Sequence, residues 1–215
     1  NYKLNIGGLG HGEMTGLMLI EIEKILIIEK PDWVLVYGDT NTTLAGALAA
    51  KKINIKIAHI EAGLRSFNME MPEEVNRVIV DRISDLLFCP TTQSVLNLNN
   101  EGLNLGKAKI FNSGDIMYEA ALYYQSKAKA PKIKIKKNFI LATIHRASNT
   151  DDKIVLTSIL KAINQISIKN QIVLPLHPRT EKFIKDYKID LNKNIVISSP
   201  LGYFEMLFLI KNCMF

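Results

Sequence analysis

His59-Ile60-Glu61-Ala62-Gly63-Leu64-Arg65, followed by Met71-Pro72-Glu73-Glu74-Val75-Asn76-Arg77, is the stretch from which the rest of the chain is read. Residues 55–60 alternate and are rich in isoleucine, which predicts a buried strand that delivers His59 and Glu61 into a turn of small residues. Pro72 suits the first position of a new helix, with Glu73 and Glu74 in its first turn. A carboxylate at the carboxyl end of a strand and another at a nearby helix start converge on one crevice, and in an open α/β sheet ligands bind in that crevice. A structural reading stands beside this one. Acidic residues in a first turn complement the helix dipole, and Glu73 with Arg77 makes an ordinary i,i+4 pair. Glu61 has less of a structural explanation, because it sits against an apolar strand with only Ala62 and Gly63 after it.

Toward the amino end, the cluster Gly7-Gly8-Leu9-Gly10-His11-Gly12 does not match the dinucleotide fingerprint: the glycine spacing is wrong and no clear strand precedes it. It reads as a loop before an amphipathic helix over 13–29, with Leu17, Ile20, Ile22, Ile25 and Leu26 inside. Residues 33–37 form a continuous apolar run of the kind buried in a parallel sheet. Gly38-Asp39-Thr40-Asn41-Thr42-Thr43 follows at its carboxyl end, where Asp39 is either a helix N-cap or a functional carboxylate and the threonines offer alternative caps. A helix over 43–52 leads into the central stretch. Beyond it lie a helix over 73–85, a strand over 86–89, a helix over 93–101, a strand over 109–112, then Ser113-Gly114-Asp115 and a helix ending near 129. Such alternation implies parallel strands with right-handed crossovers, a Rossmann-like layer.

Residues 127–137, with Pro131 and alternating lysine and isoleucine, break this rhythm. They read as a linker between a first domain over 1–126 and a second beginning at 138; the other reading is a lysine-rich helix end and loop inside one domain. Alternation then restarts with a strand over 139–144, His145-Arg146-Ala147-Ser148-Asn149, a helix over 153–166, a strand over 171–176 and His177-Pro178-Arg179. A helix reaching 187, a strand over 194–198 and a helix over 203–211 follow. Cys213-Met214-Phe215 reads as the start of another strand, and the chain is expected to be a fragment lacking natural sequence at both ends.

At 215 residues and 47% hydrophobic content, the chain supports one large or two modest cores. Without a run of eighteen apolar residues it predicts no membrane span, no signal peptide and a soluble, cytoplasmic protein. The net charge of +6 comes mostly from scattered lysines, and with aromatics at 7% it suits an anionic small molecule better than nucleic acid. Cys89 and Cys213 lie in apolar runs without a C-x-x-C partner and read as buried thiols in a reducing compartment. His11, His59, His145 and His177 stand far apart, none with the spacing of a metal-binding helix, so no metal is expected.

Taken jointly, Tyr37-Gly38-Asp39-Thr40, Ala58-His59-Ile60-Glu61-Ala62-Gly63-Leu64-Arg65, Pro72-Glu73-Glu74-Val75-Asn76-Arg77, Ser113-Gly114-Asp115, Thr143-Ile144-His145-Arg146 and Leu176-His177-Pro178 resemble the non-hydrolysing UDP-N-acetylglucosamine 2-epimerases. Order and approximate spacing agree across nearly the whole chain. The resemblance implies an α/β architecture of two Rossmann-like, doubly wound parallel-sheet domains of the glycosyltransferase-B type, the second incomplete, with the nucleotide sugar in the cleft between them. It also implies inversion at C2 without NAD, any other cofactor or metal, and a homodimer. By motif match, Asp39, Glu61 and Glu73 take the catalytic carboxylate positions and His145 that of the residue near the diphosphate. Arg65, Asn76 and Arg77 fall on the substrate side, while Arg146 and His177 match positions that in bacterial members meet a second, activating nucleotide sugar. A strand and loop carrying an arginine and a lysine would precede Asn1, and a serine and glycine-rich turn and a glutamate would follow Phe215, so the fragment alone is expected to bind poorly. Arg65-Ser66-Phe67-Asn68 also resembles members that act on UDP-2,3-diacetamido-glucuronate, which leaves the UDP-2-acetamido sugar open.

The chemistry these residues would perform is constrained. The C2 hydrogen of a nucleotide sugar adjoins no carbonyl, so breaking the C1–oxygen bond first is the reasonable route: departing UDP leaves positive charge at C1, which acidifies the C2 hydrogen for a carboxylate. Acid/base groups on both faces of the ring and cationic help for the diphosphate are then needed. A glycosyltransferase of the same architecture and a non-catalytic nucleotide-sugar binding module are the competing readings.

Overall fold

The computed structural model describes the backbone of all 215 residues and the side chains of all except Ala147 and Ser148. It divides into two compact units, Asn1–Met117 and Tyr118–Phe215. In the first, helix α1 (His11–Glu29) is followed by β1 (Trp33–Tyr37), α2 (Asn41–Lys52), β2 (Lys56–Ile60), α3 (Pro72–Ile83), β3 (Leu86–Cys89), α4 (Thr92–Asn100) and β4 (Lys109–Asn112). The four strands form one parallel sheet in the order β1-β2-β3-β4. Helix starts follow local chemistry: Thr40 and Thr91 cap α2 and α4 by accepting from the amides of Thr43 and Ser94, and Pro72 occupies the first turn of α3.

One face of this sheet is the core. Val36, Ile57, Leu87 and Cys89 are buried against Leu26, Ala47, Ala50, Val80 and Leu98, residues of the helices. Alanines at 45, 47, 49 and 50 are fully buried, which lets α2 lie close to the strands. The alternate strand positions differ from expectation. Trp33, Leu35 and Tyr37 are exposed here while Val36 is buried, so the side chains of β1, the first strand in the order, alternate in burial. Leu17 and Ile20 of α1, expected inside, are likewise exposed, because α1 buries only the stripe carrying Leu26. Neither departure changes the α/β class, which the parallel ladders establish.

The second unit holds most of α5 (Ile116–Tyr124), then β5 (Phe139–Leu141), α6 (Ala147–Thr150), α7 (Lys153–Ser167), β6 (Gln171–Pro175), α8 (Pro178–Asp186), β7 (Ile195–Ser198) and α9 (Tyr203–Asn212). Its sheet is parallel in the order β5-β6-β7. Leu156, Leu160, Ile172, Leu174 and Leu176 form its main core. Residues 127–137 do not hang free as a linker. Ile133 and Ile135 pack on the cluster of Phe139, Val173 and Leu209, the Lys129 amide donates to the Phe204 carbonyl, and Gln171 bonds the backbone of Lys134 and Lys136. Isoleucines spaced by two along an extended segment bury one side, and this places the segment in the second unit. At the other end, the Met214 amide donates to Phe139 O at 2.8 Å and the Leu141 amide to Phe215 O at 2.9 Å, so residues 213–215 run along β5 as a strand would.

Candidate active site

The carboxyl ends of β1 and β2 and the first turn of α3 bring the acidic residues of the first unit together. Gly38 leaves β1 with φ +63°, its amide donating to Ile60 O at 3.0 Å. A side chain there would be strained twice over, since a Cβ would also stand 3.0 Å from Glu61 Oε2. Glu61 itself adopts φ +71°, a left-handed conformation uncommon for a residue with a side chain. The result is a half-buried Glu61 whose carboxylate lies against Gly38 and, among the described residues, accepts no hydrogen bond and forms no ion pair. Gly63, at φ +78°, closes the turn; a Cβ there would come within 2.4 Å of the Ser94 carbonyl.

Asp39 is not the cap of α2, because Thr40 takes that role. Its carboxylate pairs with Arg77, which also reaches Glu74. The i,i+4 pair of Glu73 with Arg77 is therefore not formed. Glu73 is exposed instead and lines one cavity of about 350 Å³ together with Asp39, His11, Asn41 and Asn76. The buried Asn76 amide donates to Asp39 O at 2.8 Å and to Asn41 Oδ1 at 3.3 Å, fixing the cavity wall.

Behind this surface lies a layer of charge in which residues named above are joined by Asp81 and Glu101, which sequence reasoning did not single out. Glu74 is buried; burial opposes its charge, but the amides of Ser66 and Phe67, at 3.0 and 2.9 Å, and the Arg77 guanidinium outweigh it and hold the carboxyl below its ordinary range. Arg65 is buried as well. Its guanidinium binds Asp81 at 2.7 Å and Glu101 at 2.6 and 2.9 Å, and although burial disfavours its charge, the two carboxylates raise its basicity above normal. The structure thus brings Arg65 to the floor under the turn and not to the cavity surface. His59, expected to enter the turn, is fully buried within β2, with Nδ1 2.7 Å from Asp81 and Nε2 2.8 Å from the Gly38 carbonyl oxygen. Beside them, burial and the Asp81 charge push the Cys89 thiol up to about 12, which makes it an inert proton carrier. A signal for this layer exists in the sequence: Glu74, Arg77 and Asp81 recur at helical spacing on the face of α3 that also carries Val80.

In the second unit, an isolated bridge joins Ile144 to Leu176 and carries the strand direction past the ends of β5 and β6. His145 and His177 follow these residues and line one pocket of about 200 Å³ with Thr143, Pro175, Pro200 and Met206. Both histidines and Arg146 are exposed. His177 caps α8, its Nδ1 accepting from the Arg179 amide at 3.3 Å. Among the described residues the Arg146 guanidinium has no ion pair, in contrast to Arg179, which binds Asp151.

The family model for UDP-N-acetylglucosamine 2-epimerase matches residues 1–215. Similar proteins include the UDP-2,3-diacetamido-2,3-dideoxy-D-glucuronate 2-epimerase of Pseudomonas aeruginosa, 53% identical over 98% of this chain and 60% of the relative. The UDP-N-acetylglucosamine 2-epimerase of Methanocaldococcus jannaschii is 46% identical over 98% of this chain and 61% of its own. The crystal structure of the M. jannaschii enzyme in complex with UDP-GlcNAc and UDP superposes with a TM-score of 0.86 at 45% identity, covering 99% of this chain and 62% of that one. The Neisseria meningitidis enzyme bound to UDP-GlcNAc gives the same TM-score at 31% identity, again over 99% and 62%. The present chain spans about three fifths of the length of these relatives. With parallel-sheet units, carboxylates gathered at one sheet edge and a match that runs from the first residue to the last, the chain belongs to the UDP-N-acetylglucosamine 2-epimerase family.

Proposed function

We propose that this chain carries the acid/base and part of the diphosphate-binding machinery of an epimerase that inverts C2 of a UDP-2-acetamido sugar. The observation that carries this reading is the sorting of charge around Arg77: Asp39 and Glu74 take the guanidinium, leaving Glu73 free in the cavity that Asp39 also lines, while Glu61 stands unpaired against Gly38. Free and paired carboxylates close together are what proton transfer on two faces of one ring requires. In the proposed reaction the C1–oxygen bond breaks with its electron pair leaving on UDP, and a carboxylate of the set takes the C2 proton, which forms the C1–C2 double bond of a glycal. Protonation at C2 from the opposite face and return of the UDP oxygen to C1 give the epimer. His145 and Arg146 of the second unit supply donors for the diphosphate, with His177 close by. Arg65 acts from beneath the turn as a positioning residue, and Asn76 and Arg77 hold Asp39 in place.

The substrate is UDP-N-acetylglucosamine or UDP-2,3-diacetamido-glucuronate; relatives named for each reaction are about half identical to this chain over the aligned residues. Proton NMR of the full-length protein with each UDP-sugar in deuterated water tests the proposal. Loss of the C2 proton signal together with appearance of the epimer, with no acceptor added, is expected for one of them. Sugar transfer that needs an acceptor would support the glycosyltransferase reading, and binding without exchange would support a sensing module.

A further inference from the structure

The ring of His59 is held between two groups that can only accept. On one side is the Gly38 carbonyl oxygen, 2.8 Å from Nε2, and on the other a carboxylate oxygen of Asp81, 2.7 Å from Nδ1. A neutral imidazole has one N–H and one lone pair, so one of these contacts would set lone pair against lone pair in a site that is fully buried. The remaining proton could sit on Asp81 only if that carboxyl gave up acceptor strength. Yet its other oxygen already accepts from the Gly63 amide at 3.1 Å and from the Arg65 guanidinium at 2.7 Å, so both oxygens are engaged as acceptors. Arg65 divides its charge between the buried Asp81 and the partly exposed Glu101, and a cationic His59 brings the four-residue cluster to neutrality.

From this geometry we infer that His59 is an imidazolium carrying both ring protons, and that it serves as a positioning residue for the proton-transfer carboxylates. Its Nε2–H grips the carbonyl of Gly38, the residue immediately before Asp39 and the one against which the Glu61 carboxylate rests. Its Nδ1–H grips Asp81, which in turn holds the Gly63 amide two residues after Glu61. One buried cation thus ties the turn bearing Asp39 to the turn bearing Glu61, and the left-handed backbone at 38, 61 and 63 is kept from relaxing. The other titratable groups packed around this cluster are Arg65, Glu101 and the Cys89 thiol, and among the described residues none of them hydrogen-bonds the ring.

The inference rests on the proposed acid/base roles of Asp39 and Glu61, but its protonation half is measurable without turnover. In the full-length protein labelled with nitrogen-15 at histidine, the two His59 ring nitrogens, assigned by their disappearance in His59→Gln, are expected to show directly bonded protons at neutral pH. An unprotonated Nδ1 would overturn the inference even if no variant folds. The second arm compares His59→Gln, whose amide reaches toward Gly38, with His59→Asn, whose amide reaches only Asp81. The asparagine variant is expected to lose on the order of tenfold to a hundredfold in kcat with KM little changed, as for a mispositioned reacting group, and the glutamine variant to recover part of that loss. Equal losses in two folded variants would remove the positioning role. If both ring protons are present but the full-length protein epimerises no UDP-sugar, the charged bridge stands and the functional reading falls.

Discussion

The carboxyl edges of the two sheets are built on opposite plans. In the first unit most charged side chains near the edge are committed: Arg65, Arg77, Asp81 and Glu74 are buried or nearly so and answer one another, while among the described residues Glu61 and Glu73 have no ion-pair partner. In the second unit the edge is a shallow pocket with apolar walls, and its polar residues, His145, Arg146 and His177, stand exposed. The difference fits the roles proposed for each edge. Proton transfer needs groups fixed within a fraction of an ångström and a supporting layer that cannot relax, whereas meeting a flexible, highly charged diphosphate needs accessible donors that move to it. The first plan carries a stability risk, because any lost partner leaves a buried charge uncompensated.

That contrast can be broken most severely at Asp81. Asp81→Asn should strip the compensating charge from His59 and Arg65 and destabilise the first unit by about 3–5 kcal/mol, while leaving the second unaffected. Hydrogen exchange separates the two: faster exchange in β2 and α3 with unchanged protection in β5 and β6 is expected, and uniform protection throughout would show that the buried network contributes little.

A smaller effect in free energy, though large in rate, is expected at the cavity. In the full-length protein Asp39→Asn, Glu61→Gln and Glu73→Gln should each lower turnover about a hundredfold or more, the usual scale for a positioned acid or base. Glu73→Gln and Glu61→Gln should do so without loss of stability, since neither carboxylate has an ion pair to lose among the described residues. Wild-type turnover in any folded variant removes that residue from the mechanism.

Arg146→Ala should have a milder outcome, weakening UDP binding by about tenfold, roughly 1.4 kcal/mol, with an unchanged melting transition. Titration calorimetry with UDP checks this, and an unchanged affinity would place the diphosphate elsewhere.

The last test is a pH dependence confined to the first unit. Because Glu74 is held below its ordinary carboxyl value of 4.5, the folded state binds its proton less readily than the unfolded one. The stabilisation is therefore complete above that value and is lost as pH falls through the lower folded value. Urea midpoints measured downward from pH 5 should decline, and Glu74→Gln, already destabilised, should decline less steeply. Parallel slopes would show that Glu74 contributes nothing to acid unfolding.

Much of the architecture was legible because it rests on local regularities. Pro72 and the threonines mark helix starts, isoleucine-rich runs mark strands, and their alternation implies parallel pairing, so the chain could be read as two α/β layers before any coordinates. The packing of residues 127–137 was not legible for a specific reason. Lysine and isoleucine in alternation look like a solvated tether until a partner surface exists to receive Ile133 and Ile135.

The candidate site divides along the same line. Sequence alone singled out the residues placed in the proposed reaction, Asp39, Glu61, Glu73, His145, Arg146 and His177, because their types follow strand ends or start helices. Tertiary structure decided how the charges are shared. Whether Arg77 answers Glu73 or Asp39 and Glu74, whether Arg65 faces a ligand or the interior, and whether His59 enters the turn or locks it from below depend on which side chains lie within about 3 Å of one another. Those distances are set by strand register and helix packing, over separations such as the 38 residues between Asp39 and Arg77. A pattern of local periodicity carries no information at that range.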